Sequence, residues 1–171
     1  MIYEQLTLDS YAITNSSKRV ESKVSIRKYG VALVKEDTIE CNSTLGSKVH
    51  DSITAFEIAK SMEFADKSEE EFWIACLDAK NIIIGLHMVS RGSLSSSIVH
   101  PREVFKRAIL NNASGIICMH NHPSGNPAPS QADSDVTRRL VEAGELIGIR
   151  VIDHIIVGDE TYVSLKEKML F

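Results

Sequence analysis

The residue types with the widest chemical reach fall in one stretch, Met119-His120-Asn121-His122-Pro123-Ser124-Gly125-Asn126-Pro127-Ala128-Pro129-Ser130-Gln131-Ala132-Asp133. Two histidines with one residue between them, and an aspartate after ten more, offer two imidazole nitrogens and one carboxylate oxygen from a compact turn. Zinc takes four nitrogen, oxygen or sulfur ligands, and a catalytic site keeps one position for water. Three protein ligands and an open fourth position therefore point to hydrolysis, because the ion makes water acidic enough to ionise near a pH of about 7. Zinc suits this donor set, and iron or manganese fit similar groups. A plainer reading stands beside it: Ser130-Gln131-Ala132-Asp133 is also a helix-capping pattern, with Ser at the N-cap and an acid at N3. A cap alone does not require two alternate histidines at a strand end or a loop with three prolines.

The flanks supply the scaffold. Ser114-Gly115-Ile116-Ile117-Cys118-Met119 is a short apolar run behind a glycine, the pattern of a buried strand. His120 and His122 sit at its end with the same parity, so both imidazoles face one side. Pro123, Gly125, Pro127 and Pro129 forbid regular structure next, and Ser130 opens an amphipathic helix with apolar positions at Val136, Leu140, Val141 and Leu146. Asp133 then lies in the first helical turn, within reach of the histidines.

His120-x-His122, ten residues and Asp133, with Ser130 three before that Asp, resembles the JAMM (MPN+) metalloprotease motif. The string His-Asn-His-Pro-Ser-Gly at 120–125, with Pro129-Ser130 and Asp133, is similar more narrowly to the RadC family, whose members carry a JAMM domain. Ser97-Ile98-Val99-His100-Pro101-Arg102-Glu103 upstream and Asp153-His154-Ile155-Ile156-Val157-Gly158 downstream match as well. The resemblance covers about residues 50 to 171, and the first 45 or so match no family we can name. It implies a three-layer α/β domain related in shape to cytidine deaminases. It also implies zinc held by His120, His122 and Asp133, an oxyanion stabilised by Ser130, and hydrolysis of a peptide or isopeptide bond in a peptide or protein substrate. JAMM enzymes place a general base at the start of an early strand; counting back from Leu77-Asp78 puts Glu70 there, with Glu71, on the opposite parity, as the alternative.

The rest of the chain is read for what it adds. At 171 residues one domain is expected, long enough to bury roughly 70% of its unfolded surface. We divide it at residue 47, into an extension over 1–47 and a RadC-type domain over 48–171. A 43% hydrophobic and 25% charged composition fits a globular protein. The net charge of −4 gives no electrostatic footprint for nucleic acid, so a nucleic-acid partner is implied only by the DNA-repair label that the RadC resemblance carries. Cys41, Cys76 and Cys118 are far apart and read as reduced, buried thiols of a cytoplasmic protein. No signal peptide or membrane span is legible.

Residues 1–20 read as a loosely held arm, and Gly30-Val31-Ala32-Leu33-Val34 as a strand. A helix from Asp51 or Ser52 presents Ile53, Phe56, Ala59 and Met62 on one face. Phe72–Leu77 and Ile82–Val89 form a hairpin about Asp78-Ala79-Lys80-Asn81. Gly92–Ser97 is a small-residue link, and Pro101 starts a helix through Val104, Phe105, Ala108 and Ile109. His100 reads as a loop histidine. Asp153 and His154 interrupt the apolar strand 149–157 and need partners, either a hydrogen bond to a ligand histidine or backbone groups near the strand end. This order of elements predicts a mixed sheet with helices on its faces.

Besides the hydrolase, a second class of function fits: a non-catalytic partner-binding module associated with DNA repair or mobile elements. The letters His-Asn-His do not make a nuclease, whose residues are dispersed over a hairpin-helix unit. A zinc deaminase is disfavoured, because no Cys-x-x-Cys follows the histidine.

Overall fold

The computed structural model describes residues 30, 32–40, 48–49, 51–92 and 99–171. The arm over 1–20, Cys41 and the link's Ser93–Ser97 lie outside these residues. Among the described residues eight elements of regular structure carry the domain: α1 (Ser52–Ser61), β1 (Glu71–Leu77), β2 (Ile83–Arg91), α2 (Pro101–Leu110), β3 (Gly115–Asn121), α3 (Gln131–Ile147), β4 (Arg150–Val157) and β5 (Tyr162–Ser164). A single 3-10 turn, Phe64–Asp66, follows α1. The five strands form one mixed sheet in the order β2-β1-β3-β4-β5, with β3 and β4 parallel and every other pair antiparallel. α3 is the crossover that the parallel pair requires. The expected α/β fold with a mixed sheet and helices on both faces is the one observed.

Strand alternation builds two cores. Phe72, Ile74, Cys76, Ile116 and Cys118 face α2 and α3, meeting Val104, Phe105, Ala108, Val136 and Leu140. Ala75, Leu77, Ile117, Met119, Ile155 and Val157 face α1, meeting Ala55, Phe56, Ile58, Ala59 and Met62. β3 is buried along its whole length because it is covered on both faces, which is why it reads as a continuous apolar run. Asp78 closes the hairpin, its Oδ1 accepting from the N–H groups of Lys80 at 2.8 Å and Ile82 at 2.9 Å.

Three expectations need correction. Gly30 and residues 32–34 form no strand, and Leu33 and Val34 are 50% and 82% exposed. An apolar run becomes a strand only where a ladder receives it, and among the described residues these pair with none. Ile53 is turned to solvent, because the apolar residues that α1 buries are Ala55, Phe56, Ile58 and Ala59, while the first turn buries Ser52 and Thr54 and sets Ser52 beside Tyr162, Oγ to Oη at 3.1 Å. Leu146 is 90% exposed, since the buried line of α3 runs Val136, Leu140 and then Gly144, where a Cβ would sit 2.5 Å from the Ile149 carbonyl oxygen.

Candidate metal centre

β3 delivers His120 as its penultimate residue, on the α2/α3 side of the sheet and wholly buried. His122 lies just past the strand, where its N–H still donates to the Val157 carbonyl of β4 at 2.8 Å. The proline-rich loop then turns at Gly125, with φ +76, and is tied to the β4–β5 turn by the Asp159 N–H donating to the Gly125 carbonyl at 3.1 Å. A Cβ on Gly125 would collide with the Asp159 carboxylate, so both the backbone angle and the space demand glycine.

Ser130 is the N-cap of α3 in a complete capping box. Asp133 Oδ2 accepts from Ser130 N–H at 2.7 Å and from Ser130 Oγ at 2.6 Å, while Asp133 N–H donates back to Ser130 Oγ at 3.2 Å. The capping and metal readings of this segment are compatible, because the cap uses Oδ2 and leaves Oδ1 3.3 Å from His120 Nε2. Glu70, one residue before β1, brings Oε1 to 3.9 Å from the same nitrogen. Glu70, His120, His122 and Asp133 thus present four donor atoms within 4.8 Å of one another. Glu71 is not in this group. It is buried on the opposite parity, where its carboxylate accepts from Trp73 Nε1 at 2.8 Å and from Arg91 Nε at 2.9 Å.

The protons can be placed by counting donors. Thr137 has one hydroxyl proton, which goes to the Asp133 carbonyl 2.6 Å away. Its oxygen must then accept from His154 Nδ1, also 2.6 Å away. Burial holds His154 neutral, its pKa well below the ordinary histidine value, and the neighbouring His120 acts in the same direction. With its proton on Nδ1, His154 offers a bare Nε2 to His120 Nδ1 at 2.8 Å, so His120 carries its proton on Nδ1. His122 likewise donates Nδ1–H to the Asn126 carbonyl at 2.8 Å. Both Nε2 lone pairs therefore point at the cluster, 3.0 Å from each other. Two acceptors at that distance repel unless a proton or a cation lies between them.

The donor set fits a metal ion. Bonds of roughly 2.0–2.1 Å in tetrahedral geometry separate the ligand atoms by about 3.3 Å. The observed spacings of 3.0 Å between the imidazoles and 3.3 Å from His120 Nε2 to Asp133 Oδ1 lie close to that value, and His122 Nε2 is 3.6 Å from the other oxygen of the same carboxylate. Electrostatics agree in sign. Burial opposes ionisation of Asp133, yet the two histidines and Ser130 outweigh it and hold the carboxyl far below the usual carboxylate range. The Asp133 carboxylate beside His122 raises that imidazole's pKa against the opposing effect of burial, the mark of a site that attracts positive charge.

The pair that interrupts β4 divides its labour. His154 orients a cluster histidine, whereas Asp153 takes the strand-end role, accepting from His154 N–H at 2.6 Å, Ser164 Oγ at 2.7 Å and Lys166 N–H at 3.3 Å. His100 caps α2 through Nδ1, which accepts from Arg102 N–H at 3.1 Å. Sequence reasoning missed Thr137, although its place one helical turn after Asp133 was visible. It also passed over Asn121, treating it as a spacer between histidines.

Comparison with known proteins converges on the same region. A family model described as RadC-like JAB domain matches residues 49–170. A UPF0758 protein of Caldanaerobacter subterraneus is 45% identical over 166 residues, covering 91% of this chain and 70% of the relative. Another, of Bacillus velezensis, is 45% identical over 151 residues, covering 81% and 64%. A third, of Bacillus cereus strain AH187, is 59% identical over 100 residues but covers 58% of this chain and 44% of its own length. The matched region therefore spans from under half to about 70% of these relatives. The model match takes in every residue of the cluster together with His154 and Thr137, and the chain belongs to the RadC-like JAB-domain family.

Proposed function

We propose that the protein is a zinc-dependent hydrolase of the JAMM type that cleaves a peptide or isopeptide bond in a peptide or protein substrate. One observation carries the reading: the Nε2 atoms of two buried or half-buried imidazoles lie 3.0 Å apart, with Asp133 and Glu70 completing the ring of donors. His120, His122 and Asp133 hold the ion in this reading. When bound, it supplies Lewis acidity that polarises a carbonyl and acidifies water. Glu70 takes a proton from the attacking water and returns it to the leaving nitrogen. Ser130 offers its hydroxyl proton to the developing oxyanion by turning it from Asp133 Oδ2, 2.6 Å away. Residues 48–171 form the catalytic unit.

Elemental analysis tests this first. About one zinc per chain is expected in the wild type and none in a His122→Ala, Asp133→Ala double variant. Peptide and isopeptide substrates are then screened with Glu70→Gln as the control for activation of water. A wild-type protein that takes up no metal after zinc is supplied refutes the hydrolase and leaves a partner-binding module.

A further inference from the structure

We infer that Asn121 is a positioning residue for Glu70, holding the backbone on both sides of it. Asn121 stands between the two histidines, so strand alternation turns its side chain away from theirs. It is 1% exposed. Its Oδ1 accepts from Glu71 N–H at 2.8 Å and its Nδ2 donates to the Glu69 carbonyl at 3.1 Å. A parallel strand alongside would offer the same donor and acceptor to the same two groups, one on each side of residue 70. The side-chain amide thus stands in for a strand where the β1–β3 ladder, whose last rung pairs Phe72 with His120, has ended. From the other side, Gly92 N–H donates to the Glu70 carbonyl at 2.8 Å. Three successive residues are bonded in this way. A glutamate just before a strand would otherwise sit on a fraying end, whereas here Oε1 is delivered 3.9 Å from His120 Nε2. One tripeptide, His120-Asn121-His122, therefore serves both faces: the histidines make the cluster, and the asparagine sets the carboxylate that joins it.

The inference rests on the hydrolase reading for what Glu70 does, but not for how Glu70 is held, and the test separates the two. The first arm uses the metal-free full chain. Amide hydrogen exchange at Glu71 is expected to be about tenfold faster in Asn121→Ala, with Ile117 in mid-β3 unchanged. Asn121→Asp keeps an acceptor for that N–H, so it restores most of the protection and covers the case in which Asn121→Ala loosens the whole domain. Wild-type exchange at Glu71 in Asn121→Ala overturns the inference.

The second arm loads Co2+ and records visible spectra of the wild type, Asn121→Ala, Glu70→Gln and the double variant. Asn121→Ala is expected to change the spectrum in the same sense as Glu70→Gln and to add nothing on the Glu70→Gln background. A wild-type spectrum for Asn121→Ala beside an altered one for Glu70→Gln, additive changes in the double variant, or four identical spectra all overturn it. If even the wild type binds no Co2+, the metal reading falls, and the exchange arm alone supports or overturns the backbone clamp.

Discussion

Replacing His154 with phenylalanine keeps a ring beside Phe72 and removes both nitrogens of the buried relay. Two hydrogen bonds end on that imidazole, 2.8 Å from His120 Nδ1 and 2.6 Å from Thr137 Oγ1. Without it, His120 keeps an Nδ1–H buried with no acceptor, at a cost of about 1–3 kcal/mol. The ring avoids that cost by moving its proton to Nε2, where Asp133 Oδ1 waits 3.3 Å away, and an incoming ion must then displace the proton. The same 1–3 kcal/mol appears as a loss of Zn2+ affinity of about 5–150-fold. Partners one step behind a metal ligand commonly contribute about 10–100-fold. Affinity is read by competition with a chromophoric chelator. In parallel, nitrogen-15 NMR of the metal-free protein reads which nitrogen of each ring carries the proton. The wild type is expected to carry the His120 proton on Nδ1 and the variant on Nε2. Thr137→Val, which leaves the His154 ring but frees its tautomer, is expected to fall between them. Affinities of both variants within about twofold of wild type, or a wild-type His120 protonated on Nε2, refute the relay.

The two glutamates at the mouth of β1 separate by readout: Glu70→Gln is expected to leave stability within about 0.5 kcal/mol and abolish turnover, whereas Glu71→Gln weakens a buried acceptor of Trp73 and Arg91 and costs about 1–3 kcal/mol in urea unfolding. Gly125→Ala strains a φ of +76 and crowds Asp159, so it is expected to cost about 1–3 kcal/mol and to lower metal affinity in the same titration. In the metal-free protein His154 is neutral when folded and titrates when unfolded, so the unfolded state binds the extra proton below a pH of about 6.5 and stability falls on acidification. That acid limb, approaching about 1.4 kcal/mol per pH unit, is expected to shrink in His154→Phe, and parallel denaturation profiles for the two proteins exclude the assignment. Burial pushes the Cys76 thiol up to about 12 and Cys118 higher still, so neither is alkylated in the folded chain at a pH of about 8, as site-resolved mass spectrometry with an unfolded control checks.

The sequence by itself determined what depends on local order. Period-two alternation put His120 and His122 on one side of a strand, and the three-residue interval from Ser130 to Asp133 made a cap that also turns a carboxylate towards them. The hairpin about Asp78 and the helix start at Pro101 were equally local. The apolar run from Ile116 to Met119 already read as a buried strand, and β3 is covered on both faces. What only the tertiary structure decided depends on which groups meet across the sheet. Ile53 and Leu146 satisfy a helical period as well as their buried neighbours do, and only the angle at which α1 and α3 lie on the sheet turned them to solvent. Asp153 and His154 are adjacent polar residues with opposite parity, so the pleat sent one to the strand-end turn and the other to His120. The proton order along Thr137, His154 and His120 spans three elements and exists only when α3, β4 and β3 are assembled. Glu70 is brought within reach of His120 by the β1–β3 pairing, fifty residues distant in the chain, and no spacing rule along the sequence encodes that register.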